Sequence, residues 1–196
     1  RDGQDLAFLR YGGRVLFARR EPTPAAPHSA VLDLLQAAHH AFEGEAQLVA
    51  RPRVFSTAEA SEHDRAAVQV CASKFAAGLT SERGTHDYST ADLVDAGPLA
   101  EDARAWARVH GCIAAPARLG LDDASVSQAL LDLRTAIEAE TAADRPLHGR
   151  DRPVVALLID AEGVVLASAR NTNGRNRTLH AEVNLLQRWY RDAGAP

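Results

Sequence analysis

The sequence contains no methionine and only two cysteines, Cys71 and Cys112, among its 196 residues. Two cysteines are too few for the disulfide framework of a small secreted domain. The first residues also lack the basic, apolar and small-residue pattern of a secretion signal. We therefore expect a reducing, cytoplasmic location. Because the chain starts at Arg1 without a methionine, we also expect it to be part of a longer protein.

Long apolar runs are missing as well. None approaches the roughly 18 residues that a membrane-spanning helix needs, so no membrane association is predicted. The net charge of −4 argues against a protein that coats nucleic acid. Positive charge is nevertheless concentrated in the arginine-rich segment 145–192, which has eight arginines and five acidic residues. This segment could contact nucleic acid or another phosphate-bearing substrate, or it could be a solvated surface.

What is present is the composition of a globular chain, with 46% hydrophobic residues and a length suited to one large or two small domains. The succession of predicted helices and strands divides into two blocks near Pro116. We predict a small α/β accessory domain over residues 1–116 and a separate core over residues 117–196. The predicted fold class is therefore α/β.

The first block opens with a predicted β-hairpin, Asp5–Tyr11 and Arg14–Arg20, joined by Gly12-Gly13. Ser29 can cap a helix that runs to about Phe42. The remaining predictions for this block are a strand over 47–55 that Pro52 places at a sheet edge, a helix over 57–78, a loop over 80–98 and a helix over 100–110.

The second block reads as helix, hairpin, loop and helix. Asp122 or Asp123 can cap an amphipathic helix over 124–142. The apolar run 153–160 predicts a strand buried on both faces, and a tight turn at 161–163 leads to a second strand over 164–170. After the polar loop 171–177, Thr178 is predicted to cap a final helix that runs from Leu179 to about Arg191.

This final helix opens with His180-Ala181-Glu182. Residues two apart lie about 200° apart around a helix, but in its first turn both side chains can reach a point beyond the helix end. That end also favours negative charge. The triplet, placed after two strands and a polar loop, resembles the His-x-Glu motif of the zinc-dependent nucleic-acid and nucleotide deaminase superfamily, of the cytidine-deaminase type.

The resemblance implies a role for each of these residues. His180 would bind zinc, which lowers the pKa of a bound water, and Glu182 would move protons without binding the metal. Asn171, or else Asn173, would contact the substrate. The implied activity is zinc-dependent hydrolytic deamination of an amino-substituted nucleobase in a nucleoside, nucleotide or nucleic acid. The implied assembly is a homo-oligomer.

The resemblance covers Ala124–Arg191, about the first half of the family's helix–hairpin–helix core. No Pro-Cys-x-x-Cys follows Glu182 to supply the other two zinc ligands. The missing half could lie on another segment, which the chain would then associate with. The fold could also be a degenerate deaminase without catalysis, Cys71 and Cys112 could act as substitute ligands, or the resemblance could be accidental.

Two other functions stay open on the sequence alone. One is a catalytically inactive binding or assembly module with the deaminase fold, and the other is a different hydrolase or a plain α/β scaffold. His39-His40 is not predicted as a metal pair, because adjacent helical residues point about 100° apart. His110-Gly111-Cys112 is interpreted as a helix end.

Overall fold

The computed structural model describes residues 4–11, 14–21, 27–41, 53–71, 74–78, 92–141 and 152–193. Helices and strands are both present, so the predicted α/β class is confirmed. The chain forms two compact units, Arg1–Arg104 with Asn176–Thr178, and Ala105–Arg175 with Leu179–Pro196. These units reflect packing within the chain, and the predicted domain division after Pro116 stays a prediction. No helix among the described residues combines the length and hydrophobicity needed to cross a bilayer.

A mixed five-stranded sheet forms the centre of the first unit. Its strands are β1 (Asp5–Tyr11), β2 (Arg14–Arg20), β3 (Arg53–Ser56), β4 (Lys74–Ala76) and β5 (Asp92–Asp95). They lie in the order β4-β3-β1-β2-β5. The predicted hairpin is confirmed, because β1 and β2 pair antiparallel along their whole length. Its Gly12-Gly13 turn lies outside the described residues.

A largely buried helix lies against this sheet. The helices of this part of the chain are α1 (Ala30–Ala41), α2 (Glu62–Cys71) and α3 (Ala96–His110). Residues 30–39 of α1 are all buried, and α1 packs on β1 and β2. The predicted cap is confirmed, because Ser29 Oγ accepts the N–H of Leu32 at 3.0 Å.

One of the buried residues of α1 carries a charge. Asp33, only 3% exposed, forms ion pairs with Arg20 and, at 2.6 Å, with Arg104. Arg104 also donates to Gln36 Oε1 at 3.1 Å. Burial, and then the charges of Arg20 and Arg104, lower the pKa of His28 to about 4. The interior of this unit therefore depends on paired charges as well as on apolar packing.

Three predictions for the first block are wrong. The strand that follows Pro52 is internal, because β3 pairs with both β1 and β4. The helix expected over 57–78 starts only at Glu62, where Ser61 caps it, and Phe75 lies in β4. The loop expected over 80–98 contains β5 and the start of α3, while residues 79–91 lie outside the described residues.

The second unit has the predicted order of helix, hairpin and helix. Its elements are α4 (Asp123–Thr141), β6 (Val155–Ile159), β7 (Val165–Arg170) and α5 (Ala181–Asp192). Asp122 caps α4, since its Oδ1 accepts the N–H of Ser125 at 2.9 Å. β6 and β7 pair antiparallel, and α5 packs on both strands.

The turn between β6 and β7 requires a glycine. Gly163 has φ +82°, and a Cβ there would lie 2.3 Å from the carbonyl oxygen of Leu119. The N–H of Leu119 donates to Gly163 O at 2.8 Å, Val165 donates to Ala117 O and Arg170 donates to Gly111 O. The extended segment 111–119 therefore follows the outer edge of β7.

The prediction that β6 is buried on both faces is wrong. Each of its residues is half-buried, although the run Val155–Ile159 is wholly aliphatic. The reason is that the sheet formed by the described residues of this unit has two strands, so β6 is an edge strand. An apolar run alone does not distinguish an internal strand from an edge strand.

The start of the final helix also differs from the prediction. α5 begins at Ala181, with His180 as the N-cap residue in an extended conformation, φ −66° and ψ 159°. Thr178 does not cap it, because it lies two residues before the N-cap position. The Thr178 hydroxyl donates to Asn176 Oδ1 at 2.7 Å. The carbonyl of Leu179 accepts the backbone N–H of Thr172 at 3.0 Å, so these residues belong to the loop.

Replacing Asp33 with asparagine should strongly destabilise the first unit. The substitution keeps the side-chain shape but leaves two arginines beside a neutral amide, and breaking a buried ion pair costs about 3 kcal/mol or more. The free energy of unfolding can be measured by urea denaturation together with hydrogen exchange in α1.

The matched control is Glu138→Gln, which breaks the Arg134–Glu138 pair on α4. Those side chains are 57% and 49% exposed, so the expected loss is below about 0.5 kcal/mol. Equal losses in the two variants would contradict the assignment of a structural role to Asp33.

Candidate functional site

His180 lies at the junction between the polar loop and α5. It is the N-cap residue of α5, but its side chain makes no capping hydrogen bond. The residue is half-buried, and its Nε2 atom is buried without a hydrogen-bond partner among the described residues. A buried polar atom without a partner is unfavourable, and it is more common at functional sites than elsewhere. His180 therefore does not face solvent as a plain surface residue would.

Glu182 is the second residue of α5 and is exposed. A carboxylate in the first helical turn is stabilised by the unpaired N–H groups and the positive end of the helix dipole. The imidazole and the carboxylate thus belong to the same helix end, as the motif predicts. That both converge on one water molecule stays a prediction.

The two predicted substrate contacts lie in the loop before this helix. Asn171 is buried, and its Nδ2 donates to Arg152 O at 3.1 Å and to Asn173 Oδ1 at 2.7 Å. Asn173 is half-buried, and its Nδ2 lies 3.4 Å from His180 Nδ1. The structure therefore connects Asn171, Asn173 and His180 in one chain of contacts. Substrate binding by either asparagine stays a prediction.

Asn184 supports this loop and was missed by the sequence analysis. Its Nδ2 lies 2.9 Å from Arg170 O, 2.9 Å from Thr172 Oγ1 and 3.3 Å from Leu179 O. It thereby joins the end of β7, the loop and the first turns of α5. The only sequence signal was an asparagine four residues after His180, on the buried side of an amphipathic helix.

A glycine makes room for this amide. A Cβ at Gly111 would lie 3.0 Å from Asn184 Nδ2 and 2.6 Å from the carbonyl oxygen of Ala107. The interpretation of His110-Gly111-Cys112 as a helix end agrees with this packing, since α3 ends at His110.

The described residues do not contain a complete metal site. No group of three or more histidine, cysteine or acidic side chains among them could hold a metal ion. Cys71 is buried in the core of the first unit, and this burial raises the pKa of its thiol to about 12. Cys112 is exposed and accepts from Arg188 Nη1 at 3.0 Å. The described residues thus provide one candidate zinc ligand, His180, and do not by themselves fit a zinc ion.

The comparisons with known proteins agree with the motif. Residues 145–195, about a quarter of the chain, match the family model of the Bd3614-like deaminases. This segment contains the hairpin, the polar loop, His180 and Glu182. The match confirms the resemblance to the deaminase superfamily and supports a deaminase-type function. No curated protein and no solved structure matches the chain significantly.

Replacing Asn184 with aspartate should loosen the loop and the start of α5. One carboxylate oxygen would replace Nδ2 and face the carbonyl oxygens of Arg170 and Leu179. A buried charge among acceptors costs more than a lost neutral hydrogen bond, so we expect a loss of about 3 kcal/mol. Hydrogen exchange of the α5 amides and urea denaturation measure this loss.

Gln69→Glu makes the same chemical change at an exposed position of α2. It should alter the free energy of unfolding by less than about 0.5 kcal/mol. If Asn184→Asp were as stable as this control, the amide would not hold the loop.

Proposed function

We propose that this chain contributes His180 and Glu182 to a hydrolytic deaminase that acts on an amino-substituted nucleobase. The observation that carries the proposal is the half-buried imidazole of His180, which makes no capping hydrogen bond, beside an exposed first-turn carboxylate. Both residues lie in the segment that matches the deaminase family model. A structural N-cap would instead use its side chain to accept a helix N–H, which His180 does not do.

Glu182 has the position and exposure required of a proton carrier. In hydrolytic deamination, water adds to the ring carbon that bears the amino group, the C–N bond breaks and ammonia leaves, so an oxo group replaces the amine. The carboxylate of Glu182 would accept one proton from the water and deliver it to the ring nitrogen, and would then accept the hydroxyl proton of the adduct and deliver it to the leaving amine.

Zinc dependence is part of this proposal. His180 is the one ligand that the described residues offer, and a catalytic zinc site needs three protein ligands. The other two would come from residues outside the described part of the chain, from a further segment or from another subunit. Association with such a segment, or homo-oligomerisation, is therefore proposed together with the activity.

The proposed substrate is a nucleobase within a nucleoside, nucleotide or nucleic acid. Several arginines of the 145–192 segment interact with protein groups. Arg170 Nε donates to His110 O, Arg188 donates to Ser168 O at 3.2 Å, and the Arg175 guanidinium lies 4.9 Å from the centre of the Trp106 ring. Their contribution to nucleic-acid binding stays a proposal, as does a cytoplasmic location.

Replacing Glu182 with glutamine should abolish deamination without unfolding the protein. The amide keeps the size of the side chain but cannot carry the proton, so we expect a loss of about 10²–10⁴-fold in kcat. Activity is measured as ammonia release from cytidine, adenosine, guanine and their single-stranded oligonucleotide forms, using the whole protein with any segment it associates with.

Glu138→Gln, on the exposed face of α4, is the control and should retain full activity. If the Glu182→Gln protein deaminated at the normal rate, the proposed role of Glu182 would be wrong. A wild-type protein that binds no zinc and deaminates none of these compounds would instead indicate a binding or assembly module.

Replacing His180 with alanine should lower the zinc content of the assembled protein. Removing one of three ligands weakens zinc binding, so we expect substoichiometric metal after dialysis, whereas the wild-type protein keeps about one zinc per site. Elemental analysis of both proteins measures this difference. His63→Ala, at an exposed position of α2, is the matched control. Equal zinc content in the His180→Ala protein and its control would exclude His180 as a ligand.

A further inference from the structure

The contacts that reach His180 start from a group whose hydrogen-bonding character cannot change. The carbonyl oxygen of Arg152 can only accept, and Asn171 Nδ2 lies 3.1 Å from it. The backbone N–H of Asn171 donates to Val154 O at 3.0 Å, which holds Asn171 beside the start of β6. The Asn171 amide must therefore face Arg152 with its NH₂ group.

The orientation of the Asn171 amide determines the orientation of the Asn173 amide. The second hydrogen of Asn171 Nδ2 is donated to Asn173 Oδ1 at 2.7 Å. The NH₂ group of Asn173 then faces His180 Nδ1, 3.4 Å away. Reversing the Asn173 amide would place two NH₂ groups against each other, and reversing both amides would place Asn171 Oδ1 against the Arg152 carbonyl. One orientation of the pair thus satisfies every one of these contacts.

We propose that Asn171 and Asn173 are positioning residues that fix the tautomer of His180, with the proton on Nε2 and the lone pair on Nδ1. A neutral imidazole has one donor nitrogen and one acceptor nitrogen. Because an N–H of Asn173 points at Nδ1, that nitrogen has to be the acceptor. This role is separate from the substrate contacts that the sequence predicts for the two asparagines.

The tautomer decides which ring nitrogen can bind an electrophile. Nδ1 carries the lone pair and faces the loop, and its contact with Asn173 is long for a hydrogen bond. An electrophile that binds Nδ1 would therefore have to displace the Asn173 amide from this nitrogen. If His180 binds an electrophile through Nδ1, losing the preferred tautomer would lower the fraction of imidazole that can bind it. This consequence for activity rests on the proposed function, whereas the tautomer itself does not.

The tautomer can be measured in the whole chain by ¹⁵N NMR of labelled histidine. In the wild-type protein, Nδ1 of His180 should give the signal of an unprotonated ring nitrogen and Nε2 that of an N–H. Asn173→Asp is the decisive variant, because one oxygen still accepts from Asn171 while the other faces Nδ1 and requires a donor there. We expect the Nδ1–H form to gain by about tenfold or more, as a charge-assisted hydrogen bond would produce.

Gln69→Glu adds the same negative charge at an exposed position of α2 and should leave the His180 signals unchanged. The other histidine signals report whether each variant is folded. An Nδ1–H tautomer in the wild-type protein would overturn the proposal, and so would an unchanged tautomer in a folded Asn173→Asp protein. If Asn173→Asp does not fold, Asn173→Ala replaces it and should release the constraint, with exchange between both tautomers, whereas an unaltered spectrum would overturn the proposal.

The result of the tautomer experiment does not depend on the proposed deaminase activity. Suppose that Glu182→Gln retained deamination, while His180 showed the expected tautomer in the wild-type protein and the opposite one in Asn173→Asp. The proposed function would then fail and this inference would stand. If Glu182→Gln were inactive but the tautomer did not respond to residue 173, the deaminase proposal would stand and the positioning role would be wrong.

Discussion

The position of His180 depends on buried amide-to-carbonyl hydrogen bonds in a segment that has no regular secondary structure. Between β7 and α5 the backbone turns through the interior, where Asn171, Thr172 and Leu179 are all buried. Unpaired backbone groups are costly in such a place. Here the side-chain amides of asparagine supply donors that a helix or sheet would otherwise provide, so carbonyl groups in this segment are paired without regular secondary structure.

Asn184 and Asn171 both supply such donors. Asn184 donates from α5 to the carbonyls of Arg170 and Leu179, while Asn171, just after β7, donates to Arg152 O before β6 and to Asn173 Oδ1. Asparagine suits both positions because its amide has two donors on one atom, and its short side chain loses little entropy on burial. A serine or threonine hydroxyl has one donor and could not satisfy two carbonyls at once.

The sequence could predict what local patterns determine. The hairpin at Asp5–Arg20, the Ser29 cap and the amphipathic helix α4 follow from turn chemistry, capping and periodicity, and all three are present. The internal position of β3 and the edge position of β6 depend on which strands meet in space, and no local pattern carries that information. Thr178 is not the helix cap because α5 begins only at Ala181, so Thr178 lies in the loop, where its hydroxyl donates to Asn176.

For the site, the sequence could predict the residue types but not their surroundings. His180 and Glu182 are predicted from their spacing at a helix start and Asn171 and Asn173 from the resemblance, and their roles stay predictions. That the asparagines contact His180, and that Asn184 braces the loop, could not be inferred because these contacts depend on the three-dimensional path of residues 171–180. Periodic sequence patterns predict helices and strands, but they do not predict the contacts that loop residues make.

The difference in burial between the imidazole and the carboxylate suits two different demands of one reaction. A group that holds an ion or a substrate atom must keep its orientation, and His180 is half-buried, with one ring nitrogen at Asn173 and the other enclosed. A group that carries a proton between two atoms of a reacting ring must move, and the exposed Glu182 can rotate about its side-chain bonds. A buried Glu182 would lose that freedom, and an exposed His180 would sample several orientations. The helix start supplies both environments within three residues, because one face of α5 lies on the hairpin and the other does not.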